Sequence, residues 1–343
     1  MSVDPLTDVL ASVRLTGSVF FRIECAAPWA AEAPPSAAIA GQVMPGVDHV
    51  IEFHAVTRGA CVGGPLGETP VSLRAGDVIC FPHGDAHVMA SAPGLRAPVD
   101  LTALHRAREA KRPFRIRYGE GPAEVELVCG FLGCDARPFN PLLKALPRVL
   151  RASDLEGPRA GWLTRFIEVA EAESRRPGPA GSGVLSRVSE LMFVELVRRH
   201  LEALPRDRTG WLSALSDPHV GRALSALHAD PSRPWTLSSL ARTAGLARSS
   251  LADRFAALLG IPPMQYLARW RMQVAAGLLG TTREGVASVA SRVGYASEAA
   301  FNRAFKRAVG TPPATFRRQR AAQLPEPLLD PGPSPYAPPL DPG

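Results

Sequence analysis

The feature that most constrains this chain is an internal repeat near its C-terminal end. The two copies match in three successive stretches, Ser239–Gly245 with Ser288–Gly294, Leu251–Phe255 with Phe301–Phe305, and Gly260–Tyr266 with Gly310–Phe316. The offset is 49 residues up to the first glycine and 50 after it, so one extra residue lies in the second turn. Both copies end in Gly-x-Pro-Pro-x-x-aromatic, which makes two unrelated helical hairpins a poor explanation.

The spacing inside each copy predicts a helix-turn-helix. Each has an alanine four residues before a glycine, Ala241 before Gly245 and Ala290 before Gly294. The alanine lets two helices approach closely, and the glycine can adopt the left-handed turn conformation that a side chain disfavours. We expect the second helix of each motif from about Ser249 to Leu259 and from about Glu298 to Val309.

Four apolar side chains recur at i, i+4 spacing in these second helices, which indicates one buried face. We therefore expect them in the core: Leu251, Phe255, Phe301 and Phe305.

The positive charge of the chain is concentrated in this repeat. The whole sequence has 39 Lys and Arg against 32 Asp and Glu, a net charge of +7. Residues 217–320 have 15 basic and five acidic residues, whereas residues 1–216 have 24 of each. A basic module beside a neutral one indicates a polyanion partner, most often nucleic acid. Composition alone also allows a solvated, arginine-rich surface.

The segment 217–320 resembles the DNA-binding domain of AraC/XylS-type transcription regulators. The stretch Gly294–Pro313 is close to the signature of that family. The resemblance implies seven helices, with Met264–Leu279 as the long helix between the two motifs. It also implies double-stranded promoter DNA as a partner, and we expect a homodimer, with RNA polymerase as a further candidate partner.

A recognition helix presents side chains from its N-terminal half to base edges in the major groove. In the first copy these positions are Arg248, Ser249, Ser250, Ala252, Asp253 and Arg254. In the second copy they are Ser297, Glu298, Ala299, Asn302 and Arg303, with Lys306 and Arg307 further along. Arginine can read guanine and asparagine can read adenine, and serine suits a phosphate. Asp253 departs from the family, which usually has arginine there, so the first motif either reads weakly or accepts from cytosine.

The N-terminal part has the pattern of short β-strands cut by turns. The clearest predicted strands are Val19–Glu24, His49–Thr57, Asp77–Phe81 and Glu124–Phe131. Many short strands separated by turn residues favour a sandwich or a small barrel. After Pro141 the spacing becomes helical, and the predicted helices cover Leu142–Leu150, Gly161–Glu173 and Val184–Leu204.

The stretch Gly76–His87 resembles the second motif of cupin barrels, with glycine, proline, glycine and histidine at the family spacing. The strand His49–His54 resembles a degenerate first motif. Metal-binding cupins use three histidines and one glutamate. By that resemblance, His54 and His87 are candidate ligands for a divalent metal or a small molecule, and Glu52 could substitute for a third. The fourth ligand is missing, and both histidines could equally be hydrogen-bonded interior residues.

Five cysteines spread over 343 residues do not form a disulfide framework, so we expect a reducing cytoplasm. Cys129 falls on the apolar face of its strand and is expected in the core. The other four, Cys25, Cys61, Cys80 and Cys134, could include a redox-sensing thiol, which would need exposure and a nearby cation. No run of apolar residues is long enough to span a membrane, and we expect no secretory signal, because the first residues have neither a basic flank nor a long apolar run.

Together these patterns predict an α+β multidomain chain. We expect a cupin-like β-barrel or jelly roll over residues 1–140, a helical connector and dimerisation segment over 141–212, and an all-α domain with two helix-turn-helix motifs over 213–320. The tail 321–343 has eight prolines and is expected to be disordered.

The leading functional hypothesis is a transcription regulator that responds to an unknown small molecule or chemical stress through its cupin-like domain, and is not an enzyme. Two alternatives stay open. One is a metal-dependent cupin enzyme that carries a DNA-binding module, against which the incomplete ligand set argues. The other is a constitutive DNA-binding protein whose barrel only dimerises.

Overall fold

The computed structural model describes residues 4–13, 15–100, 114–153, 161–175, 179–205 and 209–323. Ten strands lie in the N-terminal half of this part: β1 Thr16–Cys25, β2 Ala30–Ala33, β3 His49–Arg58, β4 Ala60–Pro65, β5 Val71–Arg74, β6 Val78–Phe81, β7 His87–Ala90, β8 Phe114–Tyr118, β9 Val125–Cys134 and β10 Leu150–Ala152. The helices in and after this half are α1 Pro5–Ser12, α2 Ser36–Val43, α3 Pro141–Ala145, α4 Trp162–Arg175 and α5 Pro179–Ala203.

The strands form two sheets that together make the predicted barrel. One sheet has the order β10-β6-β3-β9-β1-β8 and the other β2-β7-β4-β5. Strands β1 and β8 pair in parallel, and the other pairs are antiparallel. The four strands predicted from the sequence correspond to β1, β3, β6 and β9.

Side chains alternate between the two faces of a strand, and in the central strands β3 and β9 both faces are buried. On β9, Leu127 and Cys129 face the space between the sheets, whereas Val128 and Leu132 face the helices. On β3, Phe53 packs with the helices, and the alternate positions 52 and 54 therefore face the barrel interior.

The helix predicted over Leu142–Leu150 is wrong over its second half. Helix α3 ends at Ala145, and Leu150 begins strand β10, which pairs with β6. Pro147 explains the difference, since proline cannot donate within a helix and its ring clashes with the preceding turn.

The C-terminal half is helical, as predicted. Its helices are α6 Trp211–Ser216, α7 Val220–Ala229, α8 Leu237–Ala244, α9 Arg248–Leu259, α10 Pro263–Thr281, α11 Val286–Arg292, α12 Glu298–Val309 and α13 Pro313–Gln323. The predicted tail begins with the last three residues of α13, and residues 324–343 lie outside the described residues. Within the described ranges, no helix is long and apolar enough to cross a membrane.

The barrel and the first helix-turn-helix share one hydrophobic core. Phe139, just after β9, packs edge-on against Tyr266 of α10 at 5.4 Å between ring centroids. The buried Gln273 side chain accepts from the Phe139 N–H at 3.0 Å and donates to the Ser12 carbonyl at 3.2 Å. The two halves are therefore packed together, not connected only by a linker.

Candidate nucleic-acid interface and barrel cavity

Both helix-turn-helix turns have the predicted geometry. Gly245 and Gly294 adopt left-handed φ values of +71° and +79°. The residue after each glycine donates its N–H to the carbonyl of the alanine five residues before it, Leu246 to Ala241 and Tyr295 to Ala290, at 3.0 and 2.9 Å. These bonds close the C-terminus of α8 and α11, so each turn is fixed by the alanine-to-glycine spacing.

The four apolar residues expected in the core are fully buried: Leu251, Phe255, Phe301 and Phe305. Their burial sets the rotation of α9 and α12, because the opposite side of each helix must then face solvent. Helix α12 also has an N-cap, the Ser297 side chain, which accepts from the Ala300 N–H at 3.3 Å.

The predicted DNA contacts lie on those solvent-facing sides. On α9, Ala252 is half-buried and the others are exposed: Arg248, Ser249, Ser250, Asp253 and Arg254. On and beside α12, Asn302 is half-buried and the others are exposed: Ser297, Glu298, Ala299, Arg303, Lys306 and Arg307. The α12 set lies on one side of its helix, whereas the α9 set extends further around its helix, because it includes six of seven consecutive residues. Both helices expose polar side chains that can enter a groove.

Arg254 is already paired within the protein. Its guanidinium contacts the Asp217 carboxylate with an Nη2–Oδ2 distance of 2.6 Å, and Asp217 also accepts from the N–H groups of His219 and Val220. Arg303, in contrast, makes no ion pair with any residue in the described ranges. Helices α9 and α12 therefore differ in available positive charge, and the sequence shows this difference only in part, through Asp253.

The barrel contains a small cavity of about 80 Å³. Its walls are largely apolar, and include Phe21, Ile23, Ile39, Met89, Ile116 and Phe131. The three residues predicted as ligands, Glu52, His54 and His87, also line it, so the structure brings them together. Cavities of this kind bind small molecules through apolar contact and a few polar groups.

Hydrogen bonds define the proton positions at this polar group. His87 Nδ1 lies 2.9 Å from the Asp85 carbonyl oxygen, which can only accept, so Nδ1 has the proton and Nε2 accepts. His54 Nε2 lies 2.7 Å from His87 Nε2 and therefore donates its proton to that nitrogen. His54 Nδ1 then accepts from the Cys129 thiol at 2.8 Å. Burial holds the pKa of His54 well below its ordinary value and lowers that of His87 to about 4, so both rings are neutral at pH 7.

Glu52 is the third polar group, and it is 3% exposed. Its Oε1 accepts a hydrogen bond from the Ser36 hydroxyl at 3.0 Å, and its Oε2 lies 3.8 Å from His87 Nε2. Burial raises the pKa of the Glu52 carboxyl to about 8.

The side chains of Glu52, His54 and His87 are of types that bind divalent metals, but the distance between the two histidine nitrogens does not suit a metal ion. Two imidazoles and a carboxylate are common ligands, and here their atoms lie within 4.8 Å of one another. However, the two Nε2 atoms are 2.7 Å apart, whereas nitrogen ligands of a tetrahedral zinc ion are about 3.3 Å apart. The histidines are therefore arranged to share a proton, and a metal would have to separate them.

The cysteines do not have the surroundings that a redox-sensing thiol needs. All five are buried and free. Burial raises the pKa of the Cys25, Cys61 and Cys134 thiols to about 12, and that of Cys80 and Cys129 well above the ordinary value. A protonated, buried thiol is a poor nucleophile.

Comparison with known proteins gives two family matches. A cupin family model matches residues 4–202, and a helix-turn-helix domain model matches residues 240–319. An AraC-like transcription regulator of Streptomyces lividans is 33% identical over 319 residues, which cover 92% of this chain and 98% of that protein. The HTH-type transcriptional regulator AlkR of Acinetobacter baylyi is 28% identical over 322 residues, which cover 92% and 100%. Among solved structures, the DNA-binding domain of AdpA in complex with a target DNA is 32% identical, with a TM-score of 0.30, and the match covers 32% of this chain and 98% of that one.

Proposed function

This chain belongs to the AraC-type family of DNA-binding transcription regulators, and from that premise we propose that α9 and α12 read promoter DNA in two successive major grooves. The observation that carries the proposal is that both helices bury one apolar face and expose the polar residues of the other. Helix α10 joins the two motifs, so they should meet one face of the duplex about 34 Å apart. Bacterial promoters are cytoplasmic, and so is the proposed location.

Arg303 is the residue on which the proposed reading depends most. It is exposed on α12 and can donate two hydrogen bonds to guanine. Arg303→Ala should weaken specific binding by about 1–3 kcal/mol and relax preference at one base pair. The matched control is Arg165→Ala, which removes the same charge from an exposed position on α4.

The decisive experiment is footprinting with the full-length protein, followed by titration of both variants on the protected sequence. Two short protected blocks and a base-specific loss in Arg303→Ala would support the proposal. A variant that keeps full affinity and full preference would mean that α12 does not enter the groove.

We further propose that the barrel cavity is the sensor site for a small molecule. The apolar walls would hold the body of the ligand, and Glu52, His54 and His87 would orient its polar group. His54→Ala and His87→Ala should leave operator affinity intact and abolish the transcriptional response. If both variants respond like the wild type, the histidines are interior residues without a sensing role.

The alternative, a metal-dependent cupin enzyme, is tested by metal analysis of the purified protein. Stoichiometric metal that depends on Glu52, His54 and His87, together with turnover of an added substrate, would favour it. Cavity binding without turnover favours the sensor.

A homodimer is proposed from an apolar stripe on the two connector helices. The exposed large apolar residues of these helices are seven positions apart, Trp162 and Val169 on α4 and Val184 and Leu191 on α5. Seven-residue spacing keeps side chains on one seam, where a second copy can cover them. Leu191→Glu should shift the protein to monomer in sedimentation experiments, whereas Leu191→Met should not.

A further inference from the structure

The second helix-turn-helix is attached to the barrel differently from the first. The core of the first, including Leu240, Leu251 and Phe255, belongs to the same hydrophobic cluster as barrel residues such as Phe53 and Val128. The core of the second unit, around Phe301 and Phe305, is a separate cluster. Half-buried Val274 of α10 packs against both clusters, but within the described ranges the buried core that extends into the barrel includes the first unit and not the second.

A buried arginine makes the corresponding connection for the second unit. Arg320, on α13, is 6% exposed. Its Nη2 donates to Asp48 Oδ2 at 2.8 Å and to Asp135 Oδ1 at 2.9 Å, and its Nη1 donates to the Gly46 carbonyl at 3.2 Å. All three acceptors belong to the barrel domain.

The two carboxylates lie at the same edge of the barrel. His49, the first residue of β3, pairs with Cys134, the last residue of β9. Asp48 directly precedes β3 and Asp135 directly follows β9, so the two residues lie side by side. Strand β3 continues from Asp48 to Glu52 and His54, which line the cavity. One strand thus joins the candidate sensor site to the Arg320 contact.

Helix α13 in turn holds the reading helix. Phe316 of α13 packs edge-on against Phe305 of α12 at 5.4 Å between centroids. Arg317 donates to the Leu279 carbonyl at the end of α10 and to the Glu284 carbonyl. These contacts link α13 to α12, so a displacement of α13 at Arg320 would be transmitted to α12.

We propose that Arg320 is a positioning residue, through which the barrel fixes the second reading helix relative to the first. This inference rests on the proposed function, since it concerns how α9 and α12 meet DNA together. The docked arrangement leaves both reading faces exposed, so the contact organises the DNA-binding surface and does not cover it. A ligand that displaces β3 would change the position of α12 through the same contact.

The test compares Arg320→Gln with Arg318→Gln, which removes the same charge from an exposed position of the same helix. The probes are a two-block operator selected with the wild-type protein, the same operator with one base pair inserted between the blocks, and a single block read by α9. The inserted base pair should weaken binding of the wild-type protein, and we call this loss of affinity the insertion penalty. We expect Arg320→Gln to bind the two-block operator about tenfold more weakly than the wild type and to show little insertion penalty. Its affinity for the single block should equal that of the wild type. Arg318→Gln should keep the insertion penalty of the wild type.

Removal of Arg320 alone takes an ion-pair partner away from the buried Asp135 and the half-buried Asp48, which can destabilise the fold. The triple variant Arg320→Leu, Asp48→Asn, Asp135→Asn removes the whole charged group and should show the same loss of spacing preference. The inference is overturned if the wild type has a two-block footprint and either variant keeps its full insertion penalty. Absence of a two-block footprint in the wild type would instead refute the proposed function.

Discussion

Gly294→Ala should damage the second helix-turn-helix far more than the same change does at a left-handed glycine in open space. Gly294 has φ of +79°, and a Cβ there would lie 2.4 Å from the Ser232 carbonyl oxygen. Gly260 has φ of +71°, and a Cβ there would have no neighbour within 4 Å. A side chain therefore costs free energy at both positions through the left-handed backbone, but only at Gly294 does it also clash with a neighbouring atom.

The magnitudes follow from these two terms. A side chain in the left-handed region costs roughly 1–2 kcal/mol. The overlap with a backbone carbonyl, which cannot rotate away like a flexible side chain, adds about 1–3 kcal/mol. We expect a loss of unfolding free energy of about 2–5 kcal/mol for Gly294→Ala and of about 1–2 kcal/mol for Gly260→Ala.

Hydrogen exchange of the amides of α12 measures this loss locally, because the second unit has its own core and can open separately. Protection of α12 in Gly294→Ala should fall more than protection of α9, the helix that Gly260 ends, falls in Gly260→Ala, and operator binding should fall with it. Equal losses in the two variants would show that the Ser232 segment moves aside, and the close approach would not be a constraint.

Three further outcomes are expected. Operator affinity should fall roughly a thousandfold between 50 and 200 mM salt if about six phosphates are contacted, whereas a nearly flat log–log plot would exclude DNA as the main partner. Burial lowers the pKa of His228 to about 3, so only the unfolded state gains a proton at this residue as the pH falls below 6.5. Between pH 6.5 and 5 this should lower the free energy of unfolding by about 2 kcal/mol, measured by denaturation. In His228→Gln the free energy of unfolding should depend less on pH over this range. Asp253→Asn should raise affinity for any DNA sequence roughly two- to fivefold, because it removes a negative charge from the reading face of α9, and an unchanged affinity would place that residue away from the phosphates.

The helix-turn-helix units could be predicted closely because their signals are local. The repeated glycine fixes each turn, and the i, i+4 apolar residues fix the buried face of the helix that follows. Predicted starts near Ser249 and Glu298 agree with helices that begin at Arg248 and Glu298. Strand β9 was predictable for the same reason, because apolar residues recur at every second position from Val125 to Phe131.

The contacts between the two halves left no comparable signal. Phe139 and Gln273 are 134 residues apart, and nothing in the pattern around either residue indicates a partner. Strand β10 escaped prediction because its pairing with β6 depends on a neighbour about 70 residues away, while its own sequence looks helical. Cys129 could be assigned to the core from its alternation, but its hydrogen bond to His54 required the register of β3 with β9.

The charge of the DNA-binding segment shows most clearly what the sequence alone misjudges. Counted from the sequence, residues 217–320 have ten more basic than acidic residues, and all of that excess appears free for DNA. In the structure, Arg254 is paired with Asp217 and Arg320 with two barrel carboxylates, while Arg271 donates to the carbonyls of Pro231 and Arg233. These arginines have partners within the protein, so fewer cations remain to contact phosphate. The measured salt dependence should therefore follow the exposed cations of α9 and α12 and not the net charge, because only contacts to phosphate release counterions.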